Sequence, residues 1–384
     1  MNKRTVHIAL VGGQPMPVYV GIKATEPEFV WLIHSKGGKG SEPEADIIMQ
    51  QCGIPSKKME FPAVDYSIII ERAMGILERL KDHKVVINIS SGTKPWAVAF
   101  SLLSVNRKNV SLIYVDQNNR VYDITNKEFL SFSLETDILT ILKFNHKTVS
   151  AFTDITDYTQ EDENTLKEIQ QIRRFNYRDF NELTIPLDKS RQNSIKQNQD
   201  IFFTTKSGSS IAYDSKAFRI EIVLNKRKGY IMIDKAETLI SPHVKDIVFF
   251  SGWFEYKVAN MLKDWRYQRG IWLNVKFPYS SGAPKNEIDV IVNANNKLLF
   301  IECKTQIFDI TDIDKFRSAV KNYGGMSSKA LFITDTATMK PEAQQKCEDN
   351  GVLTFCMGTG CSEKQCKETL FALLEKEMLN INKR

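Results

Sequence analysis

The stretch that most constrains the fold is NEIDVIVNANNKLLFIECKT, from Asn286 to Thr305. Two apolar runs flank Asn293–Asn296, an asparagine-rich linker of the kind that forms tight turns, so the runs are predicted to pair as a β-hairpin. Side chains alternate between the two faces of a strand, which places Glu302 and Lys304 on one face and Cys303 on the other. The sequence therefore predicts a largely buried hairpin that carries charged side chains.

Three of the charged side chains in this hairpin form a candidate metal site. Asp289 lies on the first strand and is expected to converge with Glu302 on the second. Two carboxylates would bind a hard cation such as Mg²⁺ or Mn²⁺, and Lys304 would neutralise charge on a phosphate. The alternative is a surface hairpin with solvated charges. Burial of unpaired charges is costly, however, and favours a functional site.

The hairpin resembles the core of the PD-(D/E)xK nucleases, in which an acid on one strand precedes E-x-K on the next. The matching residues are Asp289 and Glu302-Cys303-Lys304, although Ile288 stands where the motif has proline. The resemblance implies an α/β endonuclease domain of the restriction-endonuclease type. It also implies that Asp289, Glu302 and the Cys303 carbonyl hold Mg²⁺ or Mn²⁺, and that Lys304 assists the attack of a bound water.

The segments around the hairpin agree with that resemblance. They are a helix from about Trp253 to Asp264, a helix from about Asp312 to Tyr323 and a strand from Lys329 to Thr334. Glu255 on the first helix is a further catalytic candidate, as a metal ligand or a general acid or base. Glu287, two residues before Asp289, is the reserve candidate for the acidic position.

The first 145 or so residues alternate between apolar strands and helical patterns, which predicts a Rossmann-like α/β domain with a parallel sheet. The predicted strands are Val6–Val11, Phe29–His34, Lys58–Phe61, Val85–Ile89 and Val110–Asp116. Ligands bind such sheets at the carboxyl ends of the strands, so the loops there determine what is bound.

Two of these loops stand out. Gly12-Gly13-Gln14-Pro15 follows the first strand and is not G-x-G-x-x-G, and the chain has no P-loop spacing, so a dinucleotide cofactor is not expected. Ser90-Ser91-Gly92-Thr93-Lys94 follows the fourth strand and opens a helix. Hydroxyls, a glycine, a lysine and free N–H groups at a helix N-terminus suit a phosphate. The alternative is an ordinary turn whose hydroxyls cap the helix.

The second loop resembles the T-G-G-T-K signature of CRISPR-associated Rossmann-fold (CARF) domains, which sense cyclic oligoadenylates. Gly92, Thr93 and Lys94 match the signature, and Ser90-Ser91 replaces Thr-Gly. With the nuclease motif, the whole chain resembles the CARF nucleases of type III CRISPR antiviral defence. That resemblance implies allosteric activation by cyclic tetra-adenylate. A ring with a two-fold axis suits two identical chains, so a homodimer is expected.

These motifs predict a CARF domain at residues 1–148, a linker and small mixed connecting region at 149–240, and the nuclease domain at 241–384. Within the connecting region, Asp154–Glu163 is predicted to be a linker and Lys189–Gln199 a mobile loop. The net charge of +6 permits a nucleic-acid substrate, DNA or RNA. There is neither an apolar run long enough for a membrane span nor a signal-peptide pattern, so a cytoplasmic protein without a membrane partner is expected.

Other classes of function compete with this interpretation. A repair or restriction endonuclease without a second messenger would share the nuclease motif but would not need the Ser90–Lys94 loop. A non-enzymatic sensor would keep the loops and would not need Asp289, Glu302 and Lys304. An R-x(4-6)-H ribonuclease is excluded by spacing, because the nearest pair, Arg79 and His83, is separated by only three residues.

Overall fold

The computed structural model describes residues 4–186, 188–279, 281–282, 284–305, 310–325, 327–358 and 362–380. The chain divides into two compact units. Unit 1 consists of Met1–Thr148, Asn293–Leu298 and Tyr323–Ser327, and unit 2 consists of Val149–Val292, Leu299–Asn322 and Ser328–Arg384. The turn of the predicted hairpin therefore belongs to unit 1, whereas both of its strands continue into unit 2.

Unit 1 contains a sheet with helices on both faces. The strands are β1 (Thr5–Leu10), β2 (Phe29–His34), β3 (Ser56–Glu60), β4 (Lys84–Asn88), β5 (Val110–Val115), β6 (Val121–Asp123) and β7 (Glu128–Phe129), and the helices are α1 (Pro15–Thr25), α2 (Glu42–Cys52), α3 (Tyr66–Arg79), α4 (Lys94–Ser104) and α5 (Ile138–Phe144). The strand order is β3-β2-β1-β4-β5-β6-β7. The first five strands pair in parallel, and β6 and β7 are antiparallel. The predicted Rossmann-like sheet is confirmed.

The apolar strands of unit 1 are buried because both faces of the sheet are covered. In β1, Ile8 and Leu10 pack with Trp96 in the layer formed by α3 and α4. The intervening Ala9 faces the opposite layer, where it packs with Val18 of α1. This alternation fixes the register of β1 and leaves only its ends available for binding.

The described residues of unit 2 form two sheets. Its strands are β8 (Ala151–Asp154), β9 (Ile201–Thr204), β10 (Ser210–Asp214), β11 (Arg219–Lys228), β12 (Ile231–Ile240), β13 (Gln268–Pro278), β14 (Pro284–Ala294), β15 (Lys297–Lys304), β16 (Lys329–Thr334) and β17 (Val352–Cys356). Its helices are α6 (Gln160–Phe175), α7 (Tyr177–Thr184), α8 (Lys189–Lys196), α9 (Val244–Val248), α10 (Gly252–Lys263), α11 (Ile310–Tyr323), α12 (Pro341–Asp349) and α13 (Glu363–Leu379). One sheet has the order β12-β11-β10-β9 and the other β17-β16-β15-β14-β13-β8. In the described part of the chain, no helix has both the length and the apolar composition needed to cross a membrane.

The predicted hairpin is formed by β14 and β15. Asn295 and Asn296 both have positive φ, 53° and 64°, which is the backbone of a tight hairpin turn. Asn296 is buried. Its side chain accepts a hydrogen bond from Thr136 N–H at 3.0 Å and donates one to the Leu134 carbonyl at 2.7 Å. These hydrogen bonds lie within unit 1 and fix the turn there.

Two sequence predictions for the region between the motifs are wrong. The sequence predicts a mobile loop at Lys189–Gln199, but Lys189–Lys196 forms α8. Asp188 caps this helix by accepting a hydrogen bond from Arg191 N–H at 2.7 Å. Asp154–Glu163 was predicted as a linker, but it contains a 3-10 turn, Ile155–Asp157, and the start of α6. Reciprocal capping hydrogen bonds between Thr159 and Asp162 begin that helix.

Candidate functional site

In unit 1, both predicted ligand loops follow neighbouring parallel strands. β1 pairs with β4 with Val6 opposite Val85, so the loops Gly12–Pro15 and Ser90–Lys94 leave the same edge of the sheet. This is also where the strand order reverses, since β1 leads to β2 on one side and β4 to β5 on the other. Open α/β sheets bind ligands at such a point. The structure therefore brings the two predicted loops together at a binding edge.

The two loops are in direct contact. The Gly12 N–H donates a hydrogen bond to Ser91 Oγ at 3.1 Å. A Cβ atom at residue 12 would lie 2.7 Å from the Gly92 nitrogen, so only glycine allows this approach. Gly92 has a φ of 77°, and a Cβ there would lie 2.9 Å from Leu10 Cβ. The small residues Gly12, Ser91 and Gly92 thus allow the two loops to approach each other closely.

Ser90, the first serine of the second loop, forms hydrogen bonds with residues of β4 and β5. The Ser90 hydroxyl accepts from Val115 N–H at 2.7 Å and donates to Asn88 Oδ1. Asn88 is fully buried and donates to the Pro17 carbonyl at 3.2 Å, across the space where Gly21 has no side chain. Ser90 therefore holds the loop in shape through its hydroxyl. The sequence pattern does not single out Asn88, which follows four strand residues without any motif.

Two helix N-termini meet at this edge. Neither α1 nor α4 has an acidic residue in its first turn. Thr93 caps α4 by accepting from Trp96 N–H at 3.4 Å, which is the ordinary role of such a residue. Capping does not account for Lys94, which is exposed at the first position of α4, where its charge adds to the positive end of the helix dipole. An anion bound there would remove this unfavourable interaction.

The remaining residues of the first loop differ in exposure. Gly13 and Gln14 are exposed, whereas Pro15 is buried as the first residue of α1. Pro at this position costs α1 no hydrogen bond, because the first N–H groups of a helix have no partner within it. Gly13 and Gln14 are therefore the parts of this loop that a ligand can reach.

In unit 2, a cleft of about 1100 Å³ contains the predicted catalytic side chains. It is lined by Glu255 from α10, Asp289 from β14 and Lys304 from β15. Lys304 Nζ lies 2.6 Å from Glu302 Oε1, and Asp289 Oδ2 accepts a hydrogen bond from Cys303 N–H at 2.7 Å. The hairpin and α10 thus bring all four predicted charged side chains to one place.

Burial and like charges shift the pKa values in this cleft. Burial, followed by the charge of Glu302, raises the pKa of Asp289 to about 8. Burial and the charges of Asp289 and Glu287 raise the pKa of Glu255 well above its usual range. Burial disfavours the charged form of Lys304, but the carboxylates of Glu302 and Asp289 outweigh burial and raise the pKa of Lys304. These carboxylates therefore favour the charged form of Lys304.

The donor set in the cleft fits a hard divalent cation. Asp289 and Glu302 supply carboxylate oxygens and Cys303 a main-chain carbonyl, which are the ligand types that Mg²⁺ and Mn²⁺ prefer. Burial, followed by the charge of Glu302, raises the pKa of Asp289, and a bound cation would favour its ionised form. Among the described residues, no three or more His, Cys, Asp and Glu side chains are grouped as metal ligands. The two-carboxylate site stays a prediction.

The structure also shows an apolar surface in unit 1 that no motif indicates. Val98 and Leu102 on α4 and Val105 just beyond it are 50%, 62% and 73% exposed. Met74 on the neighbouring α3 is 48% exposed. We call these four residues the α4 face. The spacing of Val98, Leu102 and Val105 by four and three is the sequence signal, but the opposite side of α4 is also apolar and obscures it.

Comparison with known proteins bears on both units. Residues 6–143 match the sequence profile of the family described as Card1 CARF domain. The prediction of a CARF domain is therefore confirmed for this segment. No curated protein sequence matches the chain.

Among the solved structures that share the fold at low sequence identity are the following three. Can2 from Sulfobacillus thermosulfidooxidans, in complex with cyclic tetra-adenylate, is 18% identical with a TM-score of 0.66, over 97% of this chain and 99% of that one. Protein VC1899 from Vibrio cholerae is 15% identical with a TM-score of 0.71, over 97% and 98% of the two chains. A type III CRISPR defence DNA nuclease activated by cyclic oligoadenylate is 16% identical with a TM-score of 0.51, over 88% of this chain and 46% of its own.

Proposed function

We propose that this chain is a metal-dependent nuclease that is activated by cyclic tetra-adenylate and acts in type III CRISPR antiviral defence in the cytoplasm. The observation that carries the proposal is the cleft that holds Asp289 and Lys304, in a chain whose residues 6–143 match a CARF domain. The structural neighbours support it, since Can2 was solved with cyclic tetra-adenylate and another neighbour is a nuclease activated by cyclic oligoadenylate.

The order of elements in unit 2 supports the assignment of a PD-(D/E)xK nuclease. α10 is followed by the consecutive strands β13, β14 and β15, which are neighbours in one sheet, and then by α11 and β16. The hairpin brings an acid from the second of these strands beside the E-x-K residues of the third. This is the arrangement that the motif Asp289, Glu302-Cys303-Lys304 requires.

The residues of the cleft suit phosphodiester hydrolysis. A cation held by Asp289, Glu302 and the Cys303 carbonyl would supply activation of a water and of the phosphate. Protonated Lys304 is placed to stabilise the negative charge that develops on the phosphate. Glu255, whose pKa is raised by burial and by the charges of Asp289 and Glu287, lines the same cleft and is the candidate proton donor to the leaving oxygen.

The proton on Asp289 links cation binding to pH. Because burial and Glu302 raise the pKa of Asp289 to about 8, this carboxyl has to lose a proton when it binds a cation. Cation affinity should therefore increase as the pH rises through about 8. Calorimetric titration of Mn²⁺ at several pH values measures this, and an affinity that does not change with pH would contradict it.

For the sensor, we propose that the loops Gly12–Pro15 and Ser90–Lys94 of two chains surround one cyclic tetra-adenylate. The exposed N-terminus of α4 with Lys94 suits a phosphate, and the two-fold symmetry of the ring suits a C2 homodimer. The α4 face supplies the apolar surface that such a dimer would bury. The ligand must bind the active arrangement more tightly than the inactive one, or it would not change the activity.

A cleavage assay tests the proposed function directly. Single-stranded and double-stranded DNA and RNA are each incubated with Mg²⁺ or Mn²⁺, with and without cyclic tetra-adenylate, and with a chelator as the control. We expect at least one substrate to be cut only when both metal and ligand are present. Equal cleavage without the ligand would favour a restriction or repair enzyme. Binding of the ligand without cleavage of any substrate would favour a non-enzymatic sensor.

A further inference from the structure

The connection between α9 and α10 is strained. Phe250 and Ser251 have consecutive positive φ values, 54° and 70°, in a conformation that costs residues other than glycine free energy. The next residue, Gly252, cannot be replaced without movement, because a Cβ there would lie 1.7 Å from the Asp246 carbonyl oxygen. Within this connection Phe250, a large apolar side chain, is 38% exposed.

Phe250 is exposed at the predicted catalytic cleft. It lines the same cavity as Asp289 and Lys304. Ser251 Oγ lies 3.2 Å from Thr305 Oγ1, and Thr305 directly follows Lys304. Gly252 is the first residue of α10, the helix that carries Glu255. The strained connection is therefore tied on both sides to elements that position the catalytic residues.

Cations accompany this aromatic side chain. Lys196, near the end of α8, places Nζ 5.9 Å from the centre of the Phe250 ring. Lys245 and Lys276 also line the cleft. A second exposed ring in the same cleft, Phe152, stacks on Trp272 with a centroid distance of 3.7 Å and an interplanar angle of 13°. The cleft thus combines flat apolar surfaces with positive charge beside the acids.

Exposed aromatic rings next to lysines are what a nucleic-acid strand requires. Its bases present flat apolar faces that stack on aromatic side chains, and its phosphates bind cations. An exposed phenylalanine on the surface is common and needs no explanation by itself. An exposed phenylalanine that has a strained backbone and lines a cleft with candidate catalytic groups does need one, because strained residues cluster at functional sites.

We propose that Phe250 stacks on a nucleobase of the strand being cut, next to the scissile phosphate, and that Lys196 binds the adjoining phosphate. The proposal rests on the proposed nuclease function and adds the residue that contacts the base. A base inside a duplex is already stacked on both faces, so Phe250 would contact a base that has left the stack. Purines offer a larger face than pyrimidines and should be preferred at this position.

The test measures strand binding without cleavage, in the Glu302→Gln variant with Ca²⁺ in place of Mg²⁺ or Mn²⁺ and with cyclic tetra-adenylate present. Fluorescent single-stranded DNA and RNA oligonucleotides are titrated against this background and against the same background with Phe250→Ala, Phe250→Leu or Phe250→Trp. We expect Phe250→Ala and Phe250→Leu to weaken binding by about 5- to 150-fold and Phe250→Trp to retain it. The matched control is Phe202→Ala, which removes an exposed ring, 74% exposed, that does not line the cleft.

A second measurement combines changes in the strand with the change at Phe250. Single abasic positions are moved along the oligonucleotide, and one of them should weaken binding to the Glu302→Gln protein as much as Phe250→Ala does. In the Phe250→Ala protein, that abasic position should cost nothing further. Equal binding by the Phe250→Ala and Phe250→Trp proteins, or the same loss for Phe202→Ala, would overturn the stacking role. That result would leave the nuclease function standing if the wild-type protein still cleaves.

Discussion

Glu302→Gln is expected to lower the rate of nucleic-acid cleavage by at least about 100-fold without weakening the binding of cyclic tetra-adenylate. Glutamine has nearly the shape of glutamate but carries no charge. The substitution therefore removes one of the two carboxylates that would hold the cation and breaks the 2.6 Å ion pair that positions Lys304. The ligand loops lie in unit 1 and contain no residue of this cleft. The substitution should thus lower the cleavage rate and leave the affinity for cyclic tetra-adenylate unchanged.

The matched control for this variant is Glu287→Gln. Glu287 lines the same cleft and is exposed on the same strand as Asp289, but the proposed cation site does not use it. Its cleavage rate should stay within a few-fold of the wild-type rate. If Glu302→Gln cleaves at the wild-type rate, or if Glu287→Gln is the inactive variant, the assignment of the acids is wrong. Cleavage is measured at saturating cation and saturating ligand, so that neither limits the comparison.

Leu102→Glu is expected to weaken dimerisation by at least about 30-fold and to lower activation by the ligand with it. Leu102 is 62% exposed at the centre of the α4 face. A carboxylate there would have to be buried against apolar side chains of the partner chain, which is costly without a cation to pair with it. Light scattering over a range of protein concentrations measures the monomer–dimer equilibrium.

Met49→Glu controls for a charge placed on an exposed apolar residue elsewhere in unit 1. Met49 lies on α2 and is 36% exposed, outside the α4 face. The Met49→Glu substitution should leave both the monomer–dimer equilibrium and the activation by the ligand unchanged. A Leu102→Glu protein that stays dimeric would exclude the α4 face as the interface. A wild-type protein that is monomeric with bound ligand and still cleaves would exclude the dimer altogether.

The sequence predicts the parts of this structure that local patterns determine. The asparagine-rich linker predicts the β14–β15 turn because asparagine tolerates positive φ, and Asn295 and Asn296 adopt it. The sequence predicts strand Phe29–His34 at its observed bounds, because Glu28 precedes the apolar run and Ser35 follows it. α8 was missed because its polar residues carry no helical periodicity, and the cap from Asp188 was not recognised.

Other features depend on contacts between distant residues, and no local pattern reports them. The Ser90 hydroxyl is engaged by Val115 and Asn88, which requires β4 and β5 to be neighbours. The buried Asn296 reads as a turn residue in the sequence, yet its side chain binds the main chain of Leu134 and Thr136. Phe250 gives no signal of its strained backbone, because glycine is the residue expected at a positive φ.

The central claim is that binding of cyclic tetra-adenylate turns on the cleavage site, and a stoichiometric titration tests it most directly. Cleavage rate is measured as ligand is added to a fixed protein concentration well above the dissociation constant. For the wild-type protein we predict a cleavage rate near zero without ligand, a linear rise, and a plateau at one ring per two chains. The Lys94→Ala protein should require more ligand to reach its plateau, because the variant lacks the positive charge at the N-terminus of α4. A cleavage rate that is the same with and without ligand would contradict the claim.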